Sequence, residues 1–258
     1  MWNLTLGVHS WWLDNFRITK TALKPCEFKT SKVLAGDTLV WAPFDRNGGL
    51  ISEIGLNPTF SGAAWTIGAG RLEDATGATV RETNGGAFSA SAGPGAYSRL
   101  SLIERPDLSV EFFVQFNGAV ADDTDIVKLA GSGGAPIWTV RKKSDGKLHV
   151  MATPQGGALT DLGAFADVYT DGVWRHVAVT FVPSSDGSST FVSSWLDHER
   201  VGAPVQFAGT LAVEGIAESS LVCGSFNGSV DELRISKGEL DVADMLYAKK
   251  FGFMLLLR

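Results

Sequence analysis

Cysteine is almost absent from this sequence: Cys26 and Cys223 are the only 2 in 258 residues. They lie far apart and outside any CxxC context, which excludes a disulfide-rich scaffold or a thiolate metal cluster. A single disulfide and two buried thiols both stay open as readings of the pair. Histidine is sparse too, and His9, His149, His176 and His198 form no HxxxH or His/Cys cluster, so no zinc site is expected. Positive charge is in deficit. The 22 Lys and Arg face 28 Asp and Glu, for a net charge of −6, and no basic stripe occurs, so nucleic acid is excluded as a partner. No apolar run approaches the ~20 residues of a membrane-spanning helix, the late stretch Phe251–Leu257 being far too short. The first residues, MWNLTLGVHSWW, lack the basic and apolar regions of a signal peptide, so any secretion signal of a parent protein is expected upstream.

What the sequence does have is turn chemistry and short alternating runs. There are 30 Gly and 9 Pro, and 45% of residues are hydrophobic, which points to a globular all-β chain. Thr38–Asp45 reads as a first strand. In Ser109–Phe116, Val110, Phe112, Val114 and Phe116 share one face, while Glu111, Phe113 and Gln115 share the other. Ile137–Lys143 and Lys147–Ala152 flank Ser144-Asp145-Gly146, the pattern of a hairpin. Trp174–Val182 follows a second Asp-Gly, and Thr190–Leu196 and Phe226–Ser236 complete the clear strands. One helix is expected over Asp241–Lys249. Asp241 is its N-cap, Val242, Met245 and Leu246 form its apolar stripe, and Lys249 and Lys250 suit its C-terminal end.

An internal repeat gives the organisation. Leu4–Leu23 aligns without a gap on Leu221–Leu240, and Leu4, Gly7, Asp14, Arg17, Ile18, Lys20 and Leu23 recur as Leu221, Gly224, Asp231, Arg234, Ile235, Lys237 and Leu240. The full set of strands occurs once. Residues 1–30 therefore read as the terminal hairpin of a preceding repeat, 31–37 as a linker and 38–258 as the domain, in a chain cut from a tandem array. Such a hairpin has unpaired edges and an apolar face, so it is expected to dock on the main domain or on another copy.

Three segments carry a family resemblance. Gly172–Phe181, GVWRHVAVTF, resembles the W-x-H-V-A-V-T strand of laminin-G-like jelly-roll domains. Ser194-Trp195-Leu196-Asp197-His198 sits where that family has an aromatic, an aliphatic and Asp-Gly, with His198 in place of the glycine, so the turn is expected to be built differently. Phe226-Asn227-Gly228-Ser229-Val230-Asp231-Glu232-Leu233-Arg234-Ile235 resembles the family's F-x-G-x-I-D-E-V-R-I terminus. The resemblance implies a concanavalin-A-like, two-sheet antiparallel jelly roll with one short C-terminal helix.

It also implies a place for a metal. The superfamily often sets a calcium ligand near its last strand, which nominates Asp231, with Asp45 as partner and Asn47 as a further oxygen. Calcium takes six to eight oxygens, so one carboxylate is not a site. A surface Asp231 that caps a turn or pairs with an Arg is the other reading. The fold's glucanases resemble one another in an E-x-D-x-x-E or E-x-D-x-E strand motif, which this sequence lacks. Glu104, Asp107 and Glu111 have the wrong spacing and are interrupted by Pro106, while Asp197 and Glu199 lie at a predicted turn. Asp122, Asp123 and Asp125 form an acidic loop, and no GxSxG elbow is present. No catalytic residue is nominated. Of the 8 tryptophans, Trp41, Trp174 and Trp195 read as core, and Trp65 and Trp138 are the candidates for stacking on a sugar, with packing as the alternative.

The expectation is a non-catalytic binding or adhesion module of a secreted or surface protein. Its partners would be a glycan or glycoprotein and neighbouring repeats. A purely structural spacer is the alternative, and a glycoside hydrolase the third reading.

Overall fold

In the computed structural model, residues 107–131, 134–212 and 226–246 are described in full, and 38–42, 56–61, 65–69, 78–82, 87–92 and 220–223 as backbone. Residues 1–30, the linker 31–37, Asp45, Asn47 and Cys26 lie outside the described residues.

The described strands are β1 (Thr38–Ala42), β2 (Leu56–Ser61), β3 (Trp65–Ala69), β4 (Ala78–Glu82), β5 (Ala87–Ala92), β6 (Leu108–Phe116), β7 (Thr124–Ala130) and β8 (Pro136–Lys142). They continue with β9 (Lys147–Ala152), β10 (Thr160–Asp167), β11 (Arg175–Pro183), β12 (Ser189–Leu196), β13 (Glu199–Arg200), β14 (Val205–Ala208), β15 (Ser220–Cys223) and β16 (Gly228–Lys237). They form two antiparallel sheets. One has 9 strands in the order β13-β12-β11-β6-β16-β4-β3, with β14 added to β12 and β1 to β16. The other has 7 strands in the order β10-β9-β8-β7-β15-β5-β2. Neighbours are distant in sequence, as β6 beside β16 shows, which is the jelly-roll hallmark of a sandwich closed by long connections.

Alternation builds the core. Leu108, Val110, Phe112, Val114 and Phe116 of β6 point inward beside Val177, Val179 and Phe181 of β11. They meet Val127 and Leu129 of β7, Trp138 and Val140 of β8, and Leu148 and Val150 of β9 from the facing sheet. The Asp-Gly hairpin forms as the sequence predicts: Gly146, at φ 80°, donates to the Lys143 carbonyl at 3.0 Å between β8 and β9.

The outer face of the nine-stranded sheet departs from a half-buried pattern. Ser109, Glu111 and Phe113 of β6 are buried as fully as the core residues, because the segment after β16 crosses over them. Leu240 and Met245 of that segment pack on Ala178 and Trp195 in a second apolar cluster. Glu111 is at the centre of the cover. Its carboxylate accepts from His176 Nε2 at 2.9 Å, from the Arg234 guanidinium and from the Leu246 N–H at 2.8 Å. Burial pushes the Glu111 carboxyl up, but the His176 hydrogen bond and the Arg234 charge outweigh it and hold the group below the usual carboxylate range.

The same contacts change the expected helix. Among the described residues of the expected helix, 241–246, only Val242–Asp244 turn helically, as one 3-10 turn, Asp241 makes no side-chain cap, and Met245 is extended at φ −67° and ψ 151°, while Lys249 and Lys250 lie outside the described residues. The Asp244 carbonyl accepts from Arg234 and the Leu246 N–H goes to Glu111, so tertiary partners take the backbone groups that a longer helix would use. Removing one member of a buried ion pair costs about 3–5 kcal/mol by leaving the other charge unpaired. Glu111→Ala is expected to lose that much in urea unfolding, and Glu111→Gln a comparable amount, because it too leaves Arg234 unpaired and turns an amide N–H toward a donor.

Candidate functional site

Neighbouring antiparallel strands bring their turns to the same end of a sheet. At one end of the nine-stranded sheet this collects the exit of β6, the entries of β11 and β16, and the β12–β13 turn. The first and third carry the same three residues, Phe116-Asn117-Gly118 and Phe226-Asn227-Gly228. The two phenylalanine rings pack tilted at 5.4 Å, and the Asn117 N–H donates to the Asn227 carbonyl at 2.9 Å. Glycine is required at Gly228, while at Gly118 a side chain would have to displace only the Asn227 amide. A Cβ at Gly228 would lie 2.1 Å from the Gln115 carbonyl oxygen, and one at Gly118 would lie 2.5 Å from the Asn227 amide nitrogen. The pair sets Asn117 half-buried and Asn227 exposed beside it.

The β10–β11 connection docks onto this pair. Gly172, at φ 70°, donates its N–H to the Phe116 carbonyl at 3.1 Å, and the Gln115 side-chain amide donates to the Gly172 carbonyl. Asp171 turns the loop by accepting the Val173 N–H at 3.0 Å, which together with nearby Arg175 holds its carboxyl below the usual range. Tyr169 stands out of the loop, 41% exposed, with the Arg175 guanidinium carbon 4.9 Å over its ring centroid. Arg175 also donates to Asp171 at 2.8 Å and pairs with Asp197 at 3.5 Å. The Tyr169 hydroxyl reaches Asp167 at 3.4 Å.

The β12–β13 turn is the fourth part. Its two residues, Asp197 and His198, have φ of 50° and 68°. Positive φ at both positions is what the tight primed hairpin turn demands, so the turn is built in the ordinary way despite the missing glycine. Asp197 accepts the His176 N–H at 2.9 Å, while His198 stacks on the His176 ring at 4.0 Å and donates to the Leu246 carbonyl at 2.8 Å. The result is an exposed aromatic ring whose hydroxyl reaches Asp167, backed by a guanidinium that Asp171 and Asp197 hold. An aromatic face beside carboxylate groups can stack on an apolar ring face and bond its hydroxyls.

Of the residues nominated from sequence, Trp138 and Asp231 are described with their side chains. Trp138 is 1% exposed in the core, with its indole N–H unpartnered among the described residues, so it has no face for a sugar. Inward alternation on a strand placed it there. Trp65 opens β3 by backbone, and its side chain lies outside the described residues. Asp231 is 6% exposed on β16, so it is not a surface residue, and it accepts the Glu232 N–H at 2.9 Å. The described residues contain no group of three His, Cys, Asp or Glu placed to hold a metal. Its nominated partners, Asp45 and Asn47, lie outside the described residues. Sequence reasoning missed Tyr169, Arg175, Asn117 and Asn227. Their signals were a lone Tyr in a polar Asp-Gly loop and the duplicated Phe-Asn-Gly.

A second charged group lies on the outer face of the seven-stranded sheet. His149 has Asp145 at 2.9 Å from Nε2 and Asp161 at 2.9 Å from Nδ1, bridging the β8–β9 turn and edge strand β10. Two carboxylates on two ring nitrogens need the imidazolium, since neutral imidazole donates from only one. Partial burial lowers the His149 pKa, but Asp161 and Asp145 outweigh it and raise the group above 6.5. A raised pKa adds stability that is full below the unfolded value and is lost as pH rises through the folded one. The melting temperature is expected to fall as pH rises from 6.5 through the raised His149 pKa, with a smaller slope in His149→Gln.

Residues 85–245 match the family Laminin_G_3, described as the concanavalin A-like lectin/glucanases superfamily. Comparison with curated proteins gives no match. Among solved structures, the chain is similar to domain 4 of an extracellular GH43 arabinanase, AbnA, from Geobacillus stearothermophilus, in complex with arabinotriose. Identity is 18% and the TM-score 0.56, over 81% of this chain and 96% of that one. It is similar to a botulinum neurotoxin type C structure, from a study of cell entry through two ganglioside molecules, at 11% identity and TM-score 0.57. That match covers 81% of this chain and only 50% of the toxin chain. A carbohydrate esterase of the Shiga toxin-encoding bacteriophage phi24B is similar at 15% identity and TM-score 0.50, over 78% of this chain and 99% of that one. At these identities the likeness is one of fold.

Proposed function

We propose that this chain, which belongs to the concanavalin A-like lectin/glucanases superfamily, is a non-catalytic glycan- or glycoprotein-binding module of a secreted or surface protein. The observation that carries the reading is Tyr169. It is exposed, its hydroxyl reaches Asp167, and Arg175, itself bonded to Asp171, holds one side of its ring. Two structural relatives are described with a saccharide or ganglioside partner, which supports the same chemistry for this fold. No helix among the described residues is long and apolar enough to cross a membrane.

Several acids are committed to structure, which supports binding over hydrolysis. Glu111 is 0% exposed under the C-terminal segment. Asp125 is held by Arg141 at 2.6 Å and Lys128 at 3.0 Å. Asp122 and Asp123 pair with Lys142 and Lys143. A general acid and a nucleophile need open faces on one cleft, and these residues have other duties.

A glycan array tests the reading. Binding is expected, and Tyr169→Ala is expected to weaken it about tenfold or more, about 1.4 kcal/mol, with an unchanged melting temperature. An array without a single binder favours the spacer reading, and product release from any bound glycan favours the hydrolase.

A structural calcium at Asp231, completed by Asp45 and Asn47, is the second part of the proposal. An ion that binds only the native state raises its melting temperature by mass action. The expected result is a higher melting temperature in millimolar calcium than in chelator, with the difference lost in Asp231→Asn. Equal values in the two buffers overturn it.

A further inference from the structure

Resting on Tyr169 as the stacking surface, we infer that the glycan this site takes is neutral, and that the site rejects sialylated and uronate-bearing glycans. An acidic sugar needs an uncommitted cation at the ring it stacks on. The cation at this ring is already spent. Arg175 gives one terminal nitrogen to Asp171 at 2.8 Å and pairs the other with Asp197 at 3.5 Å. Its Nε–H is buried and meets no acceptor, so it too is closed to a ligand.

Among the described residues, the remaining charge around the ring is negative. Asp167, Asp171 and Asp197 are 57%, 43% and 46% exposed at their side chains. The second cation in reach, Lys147, lies 4.0 Å from Asp167 and is shared with it. Three carboxylates therefore face two cations, each already paired. Asp171 is held ionised by its backbone partner Val173 and by Arg175, so mild acid does not relieve the excess. Ionised carboxylates only accept hydrogen bonds, and sugar hydroxyls are donors that fit them. A ligand carboxylate has no proton to give and meets like charge.

The test is an array of glycan pairs that share one core, one member neutral and the other sialylated or oxidised to a uronate. Isothermal titration of the binders at low and high salt follows. Neutral members are expected to bind at least about tenfold tighter than their acidic partners. The gap is expected to narrow at high salt, because exposed charges are screened. Asp171→Asn combined with Asp197→Asn keeps the acceptor oxygens that hold the two turns while removing two charges, and is expected to narrow the gap at low salt as well. The salt arm gives the answer on the unmodified protein if that variant is unstable. Acidic members that bind as well as neutral ones, with loss in Tyr169→Ala, overturn the inference and leave the glycan-binding function standing. Absence of any binding, or binding indifferent to Tyr169→Ala, overturns the placement of the site and the inference with it.

Discussion

A carboxylate with no access to water organises this sandwich. Glu111 lies on the outer face of the nine-stranded sheet, where alternation alone would leave it in solvent. Instead it joins β6 to β11 through His176, to β16 through Arg234, and to the C-terminal segment through the Leu246 N–H. A buried ion pair is weak evidence of net stability, since desolvation offsets most of the Coulomb gain. Its effect here is to choose one arrangement: a segment laid over the sheet in any other register would take the Leu246 N–H from the carboxylate and the Asp244 carbonyl from Arg234. The row beside it works the same way. The Ser109 hydroxyl donates to the Gly238 carbonyl at 2.6 Å and accepts the Leu240 N–H at 3.0 Å. The cover is fixed by its backbone at both ends, and its apolar side chains then fill the space over Ala178 and Trp195.

The same contacts reach the surface. His176, held by Glu111 through its ring, donates its backbone N–H to Asp197, and Asp197 pairs with Arg175, which lies over Tyr169. Each step is a direct contact, so the exposed ring is positioned by the interior of the sheet. A side chain on a long loop would have to be ordered by its ligand, at the expense of affinity. Tyr169 is on a short connection pinned at Gly172 and Asp171, which lowers that ordering cost.

Much of the fold was legible because burial writes itself into period two. The inward set of β6, the Asp-Gly hairpin between β8 and β9, and the last strand all fall where alternation and turn residues put them. The errors have one origin. Periodicity reports what a segment would do alone, whereas the outer face of β6 and the 241–246 stretch take their form from each other. The apolar stripe of Val242, Met245 and Leu246 reads as a helix until Glu111 and Arg234 are known to claim its backbone. In β16 the clue was present. Val230, Leu233 and Ile235 all enter the core although their spacing is three then two, and a bulge at Glu232, with φ of 51°, resets the alternation so that Arg234 turns out to meet Glu111. The binding surface was hardly legible. Aromatic count drew notice to tryptophans, which large apolar area sends inward, while the exposed ring is a tyrosine on a connection held by β6 and by the β12–β13 turn.

The β12–β13 turn shows how such a site is kept. Both Asp197 and His198 sit in the left-handed region, which costs a residue with a Cβ about 1–2 kcal/mol. Glycine at His198 would remove that strain. It would also remove the stack on His176 and the hydrogen bond to the Leu246 carbonyl, which tie the turn to the covering segment. Asp197 is equally committed, with one carboxylate oxygen on the His176 N–H and the other toward Arg175. The strained pair is therefore the point where the lock beneath the sheet and the ring above its end share residues, and relaxing the backbone there would loosen both at once.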